Sequence, residues 1–335
     1  MALDITELLS SVRSLSDLDK VVILNPAGRP VIGISWTVLM FFNGGETIDR
    51  RLQANKVLRD FLNTFGSNIT HYHPPDASRL RKIDGRDIGA ISDEDARAKC
   101  AASGRNDNDS FSVDVYGFIG GKDAMVPPEF YFGSVCSHRD RPLTSYIEIR
   151  FPLTWDNAVF EAIAGLFARW CRMLSPMHAT LSPGLNFTDS GGRGDSIYGF
   201  PLLQRFPGLD DVKGSRWTAQ SQSQQRTIRT TGWITAIDEE FVQSLGGLAQ
   251  IKEGLSADIP ISAFAGNVLI QAGPKPLLGD RNRGDFPELY AKVARLLQPL
   301  VFTGYNLGLL DVPAPWDGMV ETRKWLNRFT GYHEE

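Results

Sequence analysis

Residues 267–299, NVLIQAGPKPLLGDRNRGDFPELYAKVARLLQP, commit this chain to a strand that passes through an ordered loop into a helix. Val268, Leu269 and Ile270 are a short β-branched and apolar run, the pattern of a buried strand. Gly273, Pro274, Pro276 and Gly279 then punctuate the backbone too densely for a helix to begin among them. The sequence predicts a helix start at Asp285. Its carboxylate is placed to cap the first-turn N–H groups, Glu288 completes a capping box, and Pro287 is tolerated in that turn. Phe286, Leu289, Tyr290, Val293 and Leu297 share one helical face, and Pro299 ends it.

Between strand and helix, residues 279–284 alternate in charge and carry a glycine at each end. Two readings follow from that pattern. Asp280 and Asp285 can pin Arg281 and Arg283 into a rigid loop, or the same side chains can face outward and recognise a partner.

Upstream, residues 6–18 fit a short amphipathic helix, and residues 21–24 and 31–42 fit two strands joined by a Pro-Ala-Gly turn. The apolar run 31–42 is too short for a bilayer, where a span takes about 20 residues, so it is expected to be a buried strand. Thr47 is expected to cap a helix whose apolar residues Ile48, Leu52, Leu58, Phe61, Leu62 and Phe65 line one side, closed by Gly66. Residues 71–109 turn polar and read as a long surface excursion with a short helix at 93–100, a candidate contact surface. Strands are expected at 111–119, 130–136 and 146–151, a helix after Thr154, and a broken strand at 178–187. Beyond a glycine-rich boundary at 190–195 come a strand over 228–237, a helix from Asp238, further strands at 259–264 and 268–271, and a last helix carrying Trp316, Met319, Val320, Leu326 and Phe329. The pattern as a whole is α+β: antiparallel or mixed β-sheets flanked by helices, in two lobes (1–190 and 191–335) that share a core. A β-α-β-β order recurs at residues 146–187 and 228–271 and suggests duplication.

Composition narrows the function classes. Hydrophobic residues make up 42% and charged residues 22% of 335, which suits a globular chain with a substantial core. The net charge of −4 supplies no global basic field for nucleic acid. Arg79, Arg81, Lys82 and Arg86 cluster, but Asp76, Asp84 and Asp87 interleave with them and no aromatic residue lies between Leu80 and Ile91. Direct nucleic-acid binding is not expected. Cys100, Cys136 and Cys171 are scattered and odd in number, which fits reduced thiols and a cytoplasmic setting. The first residues lack the basic and continuous apolar regions of an export signal. Residues 191–195 lack the ending of a phosphate loop and the spacing of a dinucleotide site, and no nucleophile elbow occurs. No catalytic residue, cofactor or membrane segment is therefore expected. The best metal-like cluster is His71, His73 and Asp76, since alternating histidines share one side of an extended segment; it lacks a fourth ligand.

The run IQAGPKPLLGD, with the Pro-containing helix start and Tyr290 after it, resembles the C-terminal signature of a bacterial immunity-protein family. Gly232-Trp233-Ile234-Thr235 and Leu245-Gly246-Gly247 are similar to that family's pattern in the same order. The family, first catalogued as a domain of unknown function, accompanies nuclease toxins delivered by type VI secretion systems. The resemblance is strongest over residues 232–299, and it rests on fold-shaping residues that carry no catalytic group. It implies a cytoplasmic protein that neutralises one cognate nuclease, a DNase, by stoichiometric binding. Contact is expected through acidic, glycine-freed loops at Asp189 and Asp195, at Asp210 and Asp211, and at Asp280, Arg281, Arg283 and Asp285, whose carboxylates would meet a basic nuclease surface. The alternative is a metal-dependent hydrolase built on His71, His73 and Asp76.

Overall fold

The computed structural model describes residues 17–18, 21–74, 77–101, 110–118, 126–137, 143–154, 157–188, 194–221, 226–264 and 266–331. Its strands are β1 (Ile23–Leu24), β2 (Pro30–Phe42), β3 (His71–His73), β4 (Arg81–Lys82), β5 (Phe111–Gly117), β6 (Phe130–Cys136), β7 (Ser145–Pro152), β8 (His178–Phe187), β9 (Ile234–Asp238), β10 (Ile261–Phe264) and β11 (Asn267–Gln271). They form a single 11-stranded sheet in the order β10-β11-β9-β8-β2-β7-β6-β5-β3-β4, with β1 on β2. Each pairing is antiparallel. The helices are α1 (Ile48–Phe65), α2 (Ile88–Ala101), α3 (Asn157–Leu174), α4 (Phe200–Arg205), α5 (Gly214–Gln220), α6 (Glu239–Ser244), α7 (Gly247–Gly254), α8 (Glu288–Leu297) and α9 (Gly318–Leu326).

The central strand β2 is covered on both faces, which is why its sequence is almost continuously apolar. Trp36 meets Phe160 of α3 at a ring distance of 6.1 Å, and Phe42 lies under the Arg50 guanidinium of α1. One residue out of phase, Phe41 packs on Trp217 of α5 at 4.4 Å. Burying each such aromatic side chain contributes about 1.5–3 kcal/mol before conformational entropy is subtracted. Both α2 and α3 pack on α1, which also sits against β6. The α5 face is more polar towards β7: Arg150 pairs with Glu148 at 2.8 Å, donates to Asn186 Oδ1 and covers the Tyr131 ring.

The α+β reading holds, and one core runs through both expected lobes. The division at 190/191 falls outside the described residues, but β8 just before it pairs with β2 on one side and β9 on the other. The expected recurrence of a β-α-β-β order is not seen: residues 146–187 hold β7, α3 and β8, whereas residues 228–271 hold β9, α6, α7, β10 and β11. In the first span β7 and β8 flank β2, whereas in the second β9 pairs directly with β11.

Several local expectations are realised. Thr47 caps α1 by accepting from the Arg50 N–H, and Asp238 caps α6 by accepting from Phe241. Others need correction. The excursion at 71–109 contains regular elements: β3 and β4 extend the sheet edge, and the helix runs from Ile88 to Ala101. Arg81 and Lys82 are exposed on that edge strand, where charge discourages further strand addition. The broken strand at 178–187 is continuous. Pro183 is accommodated because pairing to β9 ends at Leu181, and Gly184 is needed because an added Cβ would lie 3.0 Å from the Asp210 carbonyl oxygen. The strand expected at 228–237 is only Ile234–Asp238, with Ile228 instead bridging Val301. The helix at 6–18 lies outside the described residues except at its end, and the cap at Thr154 adjoins residues that are not described. Cys100, Cys136 and Cys171 are free thiols. Among the described residues no helix is long and apolar enough to cross a membrane.

Candidate partner-binding surface

The loop that follows β11 is held by charge pairs on Asp280, the expected one from Arg283 and a second from outside the loop. Asp280 accepts a fork from Arg205 of α4, Nε to Oδ1 at 2.9 Å and Nη2 to Oδ2 at 2.7 Å. It also accepts from the Asn282 N–H, and Arg283 stands 3.5 Å away. The hydrogen bonds from Arg205 hold the Asp280 carboxyl below its ordinary range, against the opposing effect of burial. Asp285 contributes its backbone: its N–H donates to the Asp280 carbonyl and its own carbonyl accepts from the Asp280 N–H, closing the loop. Asp285 therefore does not cap α8, which begins at Glu288 after Pro287. The residue before a proline is biased away from helical backbone, and this displaces the start. Arg281, Arg283 and Asp285 remain exposed on a rigid base, so the loop is both self-pinned and outward-facing.

A depressed folded pKa means that Asp280 stabilises the fold while ionised. That contribution is fully present above the unfolded carboxyl pKa of about 3.9 and is lost as pH falls through the lower folded value. Wild type should therefore exceed Asp280→Asn in thermal stability at pH 5 and above, with the gap closing below about pH 4. Melting curves of the two proteins across that window check this; a gap independent of pH would show that the ionised pair contributes nothing.

Asp210 and Asp211, expected to be loop contacts, are buried. Asp210 is 2% exposed, and its carboxylate accepts from Arg229 Nη1 at 2.9 and 3.1 Å. Arg229, itself 1% exposed, also donates to the Asp211 carbonyl oxygen. The Asp211 carboxylate sits 3.5 Å from Lys213 Nζ, and burial raises its pKa. Lys213 and Arg216 both pair with Asp311, which also accepts from Ser196. These charges fasten the 209–216 loop, residue 229 and the 309–311 segment together. Asp195 is half-buried at the start of a short turn, and Asp189 lies outside the described residues.

Beside the exposed tip of the 279–285 loop is a recess of about 170 Å³, lined among others by Phe200, Leu203, Arg281, Trp316, Lys324 and Arg328. Trp316 keeps 47% of its surface exposed while its ring meets Phe200 edge-on at 5.6 Å. The sequence reading placed Trp316 on the last helix, but Asp317 caps that helix by accepting from Met319 and Val320, so Trp316 stands ahead of it. Asp317, preceded by Pro313 and Pro315, was the signal that could have found this. Three of the five large apolar side chains exposed among the described residues, Leu307, Trp316 and Val320, fall in this C-terminal stretch. Gly308 packs against the Gly318 carbonyl, which brings the 307–309 loop to the start of α9.

The histidine cluster is not assembled as a metal site. His71 is buried on β3, with Nδ1 2.8 Å from Thr70 Oγ1, and its ring packs on Phe118. His73 lies on the same face of the strand, while Asp76 is outside the described residues. Among the described residues no group of three or more His, Cys, Asp or Glu side chains is placed to hold a metal.

The chain matches the model of the TsiV family, described as type VI immunity for VRR-NUC, over residues 75–329. That span is wider than the stretch on which the resemblance rested. Among solved structures it is similar to the Pseudomonas aeruginosa T6SS protein PA0821, with a TM-score of 0.78 at 17% identity over 97% of this chain and 90% of that one. At that identity the likeness speaks for the fold alone. None of the curated proteins matches the chain.

Proposed function

We propose, from the premise that this chain belongs to the TsiV family of type VI immunity for VRR-NUC, that it binds a cognate type VI nuclease effector one-to-one and keeps it from cutting the DNA of the cell that makes it. Family membership is the observation that carries this reading. The architecture suits such a role: a rigid sheet and a buried ionic network hold an exposed aromatic and charged loops in fixed positions, and pre-ordered contact surfaces lose little entropy on binding. Protection acts where the nuclease meets nucleic acid, so the protein works in the cytoplasm. It acts without turnover, by covering a surface the nuclease needs for DNA cleavage.

The test is co-expression with the cognate nuclease, co-purification, and a DNA-cleavage assay titrated with this chain. Inhibition is expected to saturate at about one equivalent, as tight one-to-one binding requires. Survival of cells without any complex, or inhibition at a small fraction of one equivalent, would instead indicate an enzyme acting on the toxin or its products.

A further inference from the structure

We infer that the recess beside Trp316 is the docking point for an acidic segment of the nuclease carrying one large apolar side chain. This rests on the immunity reading above and assigns the chemistry of the partner. The surface expected from the sequence was acidic; the surface the fold presents here is the reverse. Of the charged side chains lining the recess, Arg281, Lys324 and Arg328 are cationic and Glu321 alone is anionic.

Arg328 decides the sign. It is 3% exposed, stacks on Trp325 with its guanidinium carbon 3.9 Å from the ring centre, and donates to the carbonyls of Pro207, Thr231 and Trp325 and to the Thr230 hydroxyl. Those acceptors are all neutral, and the carboxylate that acts on Arg328 from further off, Asp210, is hydrogen-bonded to Arg229 instead. Burial pulls its pKa down to about 9, which leaves it charged at neutral pH. At the mouth, Arg281 is exposed and Lys324 is half-exposed despite its 3.2 Å pair with Glu321.

The apolar wall fixes the other half of the ligand. Trp316, Phe200 and Leu203 line a space of about 170 Å³, below the roughly 300–1,000 Å³ typical of small-molecule and cofactor sites. It fits one inserted side chain. A half-exposed tryptophan flanked by arginine has the composition of an interface hot spot. The partner segment should therefore place an apolar residue against Trp316 and carboxylates towards Arg281 and Lys324. Inhibition then proceeds by capture of an acidic nuclease surface, not by imitation of DNA phosphates.

Binding kinetics of the full chain with the cognate nuclease, run across a salt series, test this. Trp316→Ala should raise Kd about 30-fold or more with an unchanged melting temperature, while Trp316→Phe stays within a few-fold of wild type. Arg281→Glu and Lys324→Glu should each slow association by about tenfold and flatten its salt dependence. Asp285→Lys should leave association unchanged or speed it. A complex that forms normally but loses less than about twofold on Trp316→Ala, or that associates faster with Arg281→Glu, overturns this docking site and leaves the immunity reading standing. Wild-type protein that forms no complex with the nuclease overturns both.

Discussion

Asp210→Ala is expected to lower the unfolding free energy by about 3–5 kcal/mol, because it strands the buried Arg229 guanidinium without its carboxylate. Arg229 makes both of its carboxylate hydrogen bonds to this one side chain. A domain's whole stability is about 5–15 kcal/mol, so protection against the toxin should fail through loss of folded protein. Urea unfolding checks the size of the effect. A loss under about 1 kcal/mol would mean that water or a neighbouring carboxylate replaces Asp210, and that the pair is not the clamp described here. Asp211→Asn provides the internal contrast. Both Asp211 carboxylate oxygens lack hydrogen-bond partners among the described residues, with Lys213 Nζ no nearer than 3.5 Å, and burial already disfavours the charged form. Removing that charge should be close to neutral, even though the two residues are adjacent in sequence.

That contrast shows what composition could and could not reveal. Asp210 looks like part of a solvated acidic turn because its partner, Arg229, is set by the path of the chain and not by local spacing. Nothing in residues 208–211 announces that Arg229, about twenty positions on, returns beside them. Where chemistry is local the reading worked: Thr47 and Asp238 mark helix starts through their own hydrogen bonds. The apolar run of β2 was legible as a buried strand because burial on both faces removes alternation. The polar stretch 71–109 was misread for the complementary reason. β4, at the sheet edge, carries exposed Arg81 and Lys82, and β3 inside it is three residues long with buried His71 and Tyr72, too short for a strand pattern to show. Of the candidate interface, the 279–285 loop was visible in its charge pattern, but Trp316 and Arg328 were not. Each becomes part of a surface only when α9 is folded against α4 and the loop.

Trp233→Ala is expected to cost about 3–5 kcal/mol, the range for deleting a large aromatic side chain from a packed core. Trp233 is fully buried, with its ring 5.6 Å from Trp36 and 6.0 Å from Phe160, so the substitution opens a cavity between β2 and α3. Its polar contacts explain why the Gly-Trp-Ile-Thr and Ile-Gln-Ala-Gly runs travel together. The indole Nε1 donates to the Gly273 carbonyl at 3.0 Å, the Trp233 carbonyl accepts from the Ala272 N–H, and the Trp233 N–H donates to Ser182 Oγ. Gly232 precedes it because an added Cβ would meet Ser182 Oγ at 2.7 Å. Trp233→Phe keeps most of the volume but drops the indole bond. Gly273 retains the Gln271 side-chain amide as a donor, so this variant should lose only about 1–2 kcal/mol. Denaturant titration of both proteins separates packing from hydrogen bonding; equal losses would assign the effect to the indole bond instead of the cavity. Folded Trp233→Phe should still bind the nuclease at wild-type affinity, since the residues that mark the family here shape the sheet and those proposed to meet the partner, Arg281, Trp316 and Lys324, lie on the 279–285 loop, just ahead of α9 and on α9.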